Sequence, residues 1–456
     1  MSDVIIFTSS YVLLPDALEP APATIEVSRA SGRITRIAPG RAVQATYASD
    51  IEFHDAGDKT ILPGLVDSHV HLNEPGRTDW EGFATGTRAA VSGGPLNSIP
   101  PTTTVENFYV KRKAAEGQCH ADVAFWGGVI PGNQKDLKPL VEAGVRGFKC
   151  FLIESGVEEF PCVNETDLRE ALQQLEGTPA VLLFHAELEP HEPHADPQTH
   201  DDPTQYRTFL NSRPETLETD AIALVRKLHT EFPRVPKHIV HLSAASALPL
   251  IDDAPGLTAE TCFHYLSLST QVLDPASPVT GRPHFKCCPP IRDADNAEQL
   301  WAALREQRLA CVVSDHSPCV PQLKRLAADG SDGDFMQAWG GISSLGLGFS
   351  IMWAQAGQRG VALKDLVHWM GVGAARIARL ENRKGAIAVG MDADLVFWDL
   401  DKKWKVTKDK LHFKNKLSPY EGMTLRGVAE KTFLRGKLVW DDSNGFDGLN
   451  PKGILL

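Results

Sequence analysis

No stretch of the 456 residues approaches the roughly 18 consecutive apolar residues that a membrane-spanning helix needs, so the sequence predicts no such span. Positive charge is in short supply. Lys and Arg number 46 against 58 Asp and Glu, a formal net charge of -12, which argues against a phosphate-seeking surface and removes nucleic acid from the expected partners. Paired cysteines are missing too: eight are present without disulfide or CxxC spacing, and Cys150, Cys262 and Cys311 sit inside apolar runs. They read as small core residues of a reducing compartment, and the vicinal Cys287-Cys288 as two loop positions. The start, MSDVIIFTSSYVLLP, has no basic n-region, and the chain closes on Gly-Ile-Leu-Leu, not on a targeting tripeptide. A cytoplasmic protein is expected.

What remains is a globular balance of 42% hydrophobic and 23% charged residues, in a chain long enough for one large catalytic domain and a smaller one. Residues 1–58 alternate short β-rich pieces with Gly and Pro turns, and residues 385–456 do the same. Period-two alternation at both ends predicts one small β-sandwich domain built from both termini. Between them, residues 59–384 carry apolar runs separated by helix-like segments, the pattern of βα units. The runs lie at 61–71, 121–130, 144–153, 179–186, 237–244, 257–268 and 309–317. That is seven, where a (β/α)8 TIM-type barrel has eight.

The run at 61–71 ends in His69-Val70-His71, so its two imidazoles share one face of a strand. Neutral imidazole is the commonest metal ligand. Further runs carry Lys149, His185, His241 and Asp315 at or near their ends. Taken singly, Lys149 reads equally as a salt-bridge partner, His185 and His241 as capped core residues, and Asp315 as a helix N-cap. Taken together, residues at the C-terminal ends of barrel strands converge on one pocket, which predicts a shared metal site.

The order HxH, Lys, His, His, Asp resembles the binuclear cyclic-amide hydrolases of the amidohydrolase superfamily, and among them the allantoinases. The motifs that carry this are His71-Leu72-Asn73-Glu74-Pro75-Gly76-Arg77-Thr78-Asp79-Trp80-Glu81-Gly82-Phe83, Gly147-Phe148-Lys149-Cys150-Phe151, Lys286-Cys287-Cys288-Pro289-Pro290-Ile291-Arg292-Asp293, and Ser314-Asp315-His316-Ser317-Pro318-Cys319 with Trp339-Gly340-Gly341-Ile342. The resemblance implies two divalent metal ions, zinc by preference. His69, His71 and Asp315 would hold one, His185 and His241 the other, with a CO2-derived carbamate on Lys149 bridging them. It implies hydrolysis of the hydantoin ring of allantoin to allantoate by a metal-activated water, with Asp315 as the catalytic proton carrier. Asn97, Cys288, Pro290, Gly340 and Gly341 would hold the substrate, and the assembly would be a homotetramer.

The alternatives are a dihydropyrimidinase or hydantoinase, and a non-catalytic scaffold relative. The first typically has a tyrosine five residues after the bridging lysine, where this chain has Glu154. The second loses ligands, and all six stand here. Dihydroorotase fits less well, because Glu74-Pro75-Gly76-Arg77 replaces its arginine and asparagine pair after HxH.

Two departures stand out. Gly93-Gly94 runs directly into Pro95-Leu96-Asn97, where the family has a short strand, so the second barrel strand is expected to be deleted near Gly94-Pro95, by splicing or a gene-model error. Phe263 replaces a common proline. The acidic segment from Glu187 to Asp202 reads as a solvated loop over the pocket.

Overall fold

The computed structural model describes residues 2–90, 98–189, 202–270 and 280–456. Strands β1 (Val4–Val12), β2 (Ala21–Ser28), β3 (Ile34–Pro39), β4 (Glu52–Asp55) and β5 (Thr60–Pro63) come first. The parallel strands β6 (Trp126–Gly128), β7 (Gly147–Phe151), β8 (Val181–His185), β9 (Lys237–Ile239), β10 (Leu257–Cys262) and β11 (Cys311–Val313) follow. Last come β12 (Leu395–Lys405), β13 (Thr424–Leu434) and β14 (Lys437–Asp441).

The first and last groups make one eight-stranded sheet in the order β14-β13-β12-β5-β1-β2-β3, with β4 beside β1. Strand β5 joins the two halves, parallel to β1 on one side and antiparallel to β12 on the other. Alternation in β1 turns Ile5 and Phe7 inward, where Phe7 meets Phe433 edge-on at 4.9 Å and Phe397 at 6.3 Å. This is the β-sandwich domain.

Chain leaving β5 enters the barrel. Residues 66–71 are its first strand: Val70 bridges His316 in parallel, just past β11, and the His71 N–H donates to the His316 carbonyl at 2.8 Å. From β11 the ladder runs unbroken through β10, β9, β8 and β7 to β6. The strands are short and buried on both faces, as a parallel sheet covered by helices requires. Helix Glu165–Leu175 shows how the covering forms. Asn164 caps it through the Thr166 and Asp167 amides, and Leu168, Ala171, Leu172 and Leu175 make the buried stripe.

The expected deletion at Gly94-Pro95 lies outside the described residues. Among the described ones, no strand stands between residues 66–71 and β6. Trp126 spans that interval, donating its indole N–H to the Ser68 carbonyl at 2.8 Å. Higher up, residues 98–103 pass through it as irregular chain. Ile99 donates to the Pro75 carbonyl at 2.9 Å, and Gly128 donates to that of Thr102 at 2.9 Å.

The two domains are locked at the barrel floor. Lys384 reaches Asp122 at 2.5 Å, Asp394 at 2.6 Å and Asp392 at 3.0 Å, all four side chains nearly fully buried. Arg435 of β13's following turn also pairs with Asp122. Replacing Lys384 by Met leaves three buried carboxylates short of their shared cation, so K384M is expected to lose about 3–5 kcal/mol of stability, read as a lowered urea midpoint. An unchanged midpoint would show that the lock contributes nothing.

Candidate active site

Parallel strands all present the same end to one face, so side chains far apart in sequence meet there. His69 and His71 close the first strand, Lys149 lies within β7, and His185 is the last residue of β8. His241 and Asp315 come two residues after β9 and β11. All six line a single cavity of about 460 Å³, together with Cys288, Gly340 and Gly341. Pro290 does not line it; its carbonyl turns away to accept from the Ser243 hydroxyl at 2.6 Å. Asn97 lies outside the described residues.

The six are packed closely. Asp315 Oδ1 is 3.1 Å from His71 Nε2 and 3.3 Å from His69 Nε2. The His241 ring stacks at 5.2 Å on His69 and meets His185 edge-on at 4.6 Å. His241 and Asp315 both have left-handed backbone, φ 42° and 40°, a strained conformation for such residues that tends to mark functional positions. It re-aims each side chain from the strand's end into the cavity.

Burial decides the charge states. It pushes His71 down to about 4, His185 below the usual imidazole value and His241 well below it, and the Lys149 charge adds to the lowering of all three. Burial likewise lowers the Lys149 amine to about 8. Burial alone would raise Asp315, but His69, His71 and His241 hold it well below the normal carboxylate range. The site therefore offers neutral imidazoles at His71, His185 and His241 and an anionic carboxylate at Asp315. Atoms of His69, His71 and Asp315 all lie within 4.8 Å of one another, and Nδ1 of His71 and of His241 is buried without a hydrogen-bond partner among the described residues. Such a donor set fits divalent cations.

Two buried carboxylates orient the ring nitrogens on the far side. Glu260 accepts at 2.8 Å from His69 Nδ1 and at 3.1 Å from His238 Nε2. Glu187 is 2.7 Å from His185 Nε2 and is also paired with Arg213, which lines the cavity. Reading Glu187 as the start of a solvated loop is thus corrected: it is fully buried, and only residues 190–201 of that segment lie outside the described set. Sequence reasoning also passed over Glu260. Its one visible signal is a carboxylate inside the apolar run LTAETC. Phe263 opens the short helix Phe263–Ser267 directly after β10.

The model of the Amidohydrolase family matches residues 60–439. An allantoinase of Saccharomyces cerevisiae is 48% identical over 457 aligned positions, covering 96% of this chain and 95% of its own. An allantoinase of Aquarana catesbeiana, named as mitochondrial, is 51% identical over 337 positions, covering 72% of this chain and 67% of its own. Among solved structures, the L-hydantoinase (dihydropyrimidinase) of Arthrobacter aurescens superposes with a TM-score of 0.87 at 26% identity, over 100% of this chain and 99% of its own.

The charge states predict an acid response in the metal-free chain. Burial holds His71 and His264 at about 4 and His284 at about 3, against about 6.5 when unfolded. As pH falls from about 6.5 to 4, the unfolded chain takes up protons that these folded imidazoles refuse, so stability falls. Asp67, which burial pushes up to about 7, works in the opposite sense, as do the raised Glu218 and Asp394, but the lowered imidazoles, which also include His120, His185, His241, His368 and His412, outnumber them. The urea midpoint is expected to drop across that window; a level or rising midpoint would contradict the assignment.

Proposed function

The chain belongs to the amidohydrolase family, and from that premise we infer that it hydrolyses the hydantoin ring of allantoin to give allantoate. The observation that carries this is near-full-length identity of 48% to an allantoinase, joined to the convergence of six ligand-type side chains in one cavity. The hydantoinase-like structures match the fold at 26% identity or less, so that alternative fits less well. Glu154 lines the cavity where dihydropyrimidinases typically have tyrosine, which favours the same reading.

His69, His71 and Asp315 would hold one metal ion, and His185 and His241 a second. When bound, the ions supply a water nucleophile at neutral pH and polarise the scissile carbonyl. Lys149 would join the two as a carbamate. Support comes from its burial, which favours the neutral amine, the form that combines with CO2. Asp315 accepts the proton of the attacking water and returns it to the ring nitrogen that leaves. Glu260 and Glu187 hold His69 and His185 in register from behind, so that neither ring turns as the cavity fills. Cys288 and the Gly340 N–H hold the ring carbonyl that is not attacked; Gly341 lines the cavity beside them, but its N–H donates to the Lys286 carbonyl at 2.8 Å and its own carbonyl is held by Lys324.

Zinc as the metal, a homotetramer and a cytoplasmic location belong to the same proposal, the last supported by eight free cysteines. So does the loss of a strand between Gly94 and Pro95, supported by the direct run of Gly93-Gly94 into Pro95-Leu96-Asn97 and by the interval that, among the described residues, only the Trp126 indole and the irregular chain 98–103 cross.

The purified chain, supplied with divalent metal and bicarbonate, is expected to form allantoate from allantoin and to leave dihydrouracil unchanged. Asp315→Asn is expected to cost about 10²- to 10⁴-fold in kcat. Dihydrouracil turnover without allantoin turnover would reverse the assignment, and a folded, metal-loaded chain inert towards both would point to a scaffold. Glu260→Gln is expected to weaken metal retention by about 10- to 100-fold, measured as zinc content after dialysis against graded chelator. Retention equal to the parent chain would remove Glu260 from that role.

A further inference from the structure

One wall of the cavity is the segment 337–341, and it is held by two buried lysines, Lys286, which also lines the cavity, and Lys324, which does not; neither has a carboxylate partner among the described residues. Lys286 Nζ donates to the carbonyls of Met336 at 3.0 Å and Ala338 at 2.7 Å. Lys324 Nζ donates to that of Trp339 at 2.9 Å and to that of Gly341. Both side chains are over nine-tenths buried, and burial lowers both amines, Lys286 to about 8. An ammonium ion taken from water without a counter-ion is unfavourable, and such residues persist where they set a geometry that matters.

The geometry set here concerns one peptide plane. A trans peptide points its carbonyl and its N–H in opposite directions. The Ala338 carbonyl is held by Lys286, and the opposed N–H of Trp339 is spent on the Leu323 carbonyl at 2.9 Å. The Trp339 carbonyl is held by Lys324, and the peptide to Gly340 is trans. The opposed N–H, that of Gly340, has no hydrogen-bond partner among the described residues, and Gly340 lines the cavity. A side chain there would meet Cys288 Sγ at 2.9 Å, so glycine keeps the approach to this N–H open.

We propose that Lys324 is a positioning residue for substrate: by holding the Trp339 carbonyl it turns the Gly340 N–H into the cavity as a donor to the ring carbonyl that is not attacked. This rests on the reading of the reaction given above. Lys286, on the same wall, holds peptides whose N–H groups are already engaged, so it steadies the wall without presenting a donor.

The test uses the full metal-loaded chain with hydantoin and 2-thiohydantoin, in which sulfur, a poor acceptor, replaces the oxygen of the carbonyl that is not attacked. The parent chain is expected to bind hydantoin about tenfold more tightly than the thio ring, the equivalent of one good hydrogen bond. In Lys324→Met that ratio is expected to collapse towards one, whereas in Lys286→Met it is retained even if the fold is weakened. Hydrogen exchange supplies a second reading on the parent chain itself, since hydantoin is expected to slow exchange in the peptide spanning 336–341. Equal loss of the ratio in both variants would mean general loosening of the wall and overturn the proposal. Hydantoin binding with an unaltered ratio in Lys324→Met, or without added protection, overturns the role of Lys324 and leaves the reaction assignment standing. Failure of the parent chain to bind either ring overturns both.

Discussion

Everything at the mouth of this barrel follows from burying four imidazoles, an amine and a carboxylate in one cavity. Such groups leave water only at a cost, and the surrounding structure shows how that cost is met. Burial lowers the proton affinity of His71, His185 and His241, and Asp315 stays anionic because His69, His71 and His241 surround it. Glu260 and Glu187 lie behind, each tied both to a cavity histidine and to a second cationic or imidazole group. The result is a buried set of nitrogen and oxygen donors around one cavity, a set that fits divalent cations.

The rest of the molecule keeps that set in place. The ladder from β11 to β6 fixes four of the contributing segments, those of Lys149, His185, His241 and Asp315, while the first strand is tied in by its bridge to His316 and by the Trp126 indole. Below, the Lys384 cluster joins the barrel floor to the sheet domain, so the terminal strands brace the end opposite the cavity. Above, the wall opposite the histidines is set by buried lysines acting on backbone carbonyls, a way of fixing a loop that has no regular structure of its own.

Much of this was legible before any coordinates. The seven apolar runs correspond to seven parallel segments, and His69, His71, Lys149, His185, His241 and Asp315 all stand at or near strand ends, because period-two alternation and strand-end placement are local properties of the chain. Other features were not legible. Glu260 looks like an interrupted core strand and Glu187 like the start of an acidic loop, and no pattern in the sequence singles out Lys324. Each acquires its role from a partner far along the chain: Glu260 meets His69, 191 residues away.

The sequence by itself determined the fold class and the kind of chemistry, since both rest on local pattern and on residue types that few other functions need in that order. Only the tertiary structure decided which carboxylates orient which rings, that Pro290 faces away while Gly340 faces in, and which lysine governs which peptide plane. Those depend on hydrogen-bond directions between segments that share no neighbourhood in the chain, and a direction in space is not encoded by spacing along it.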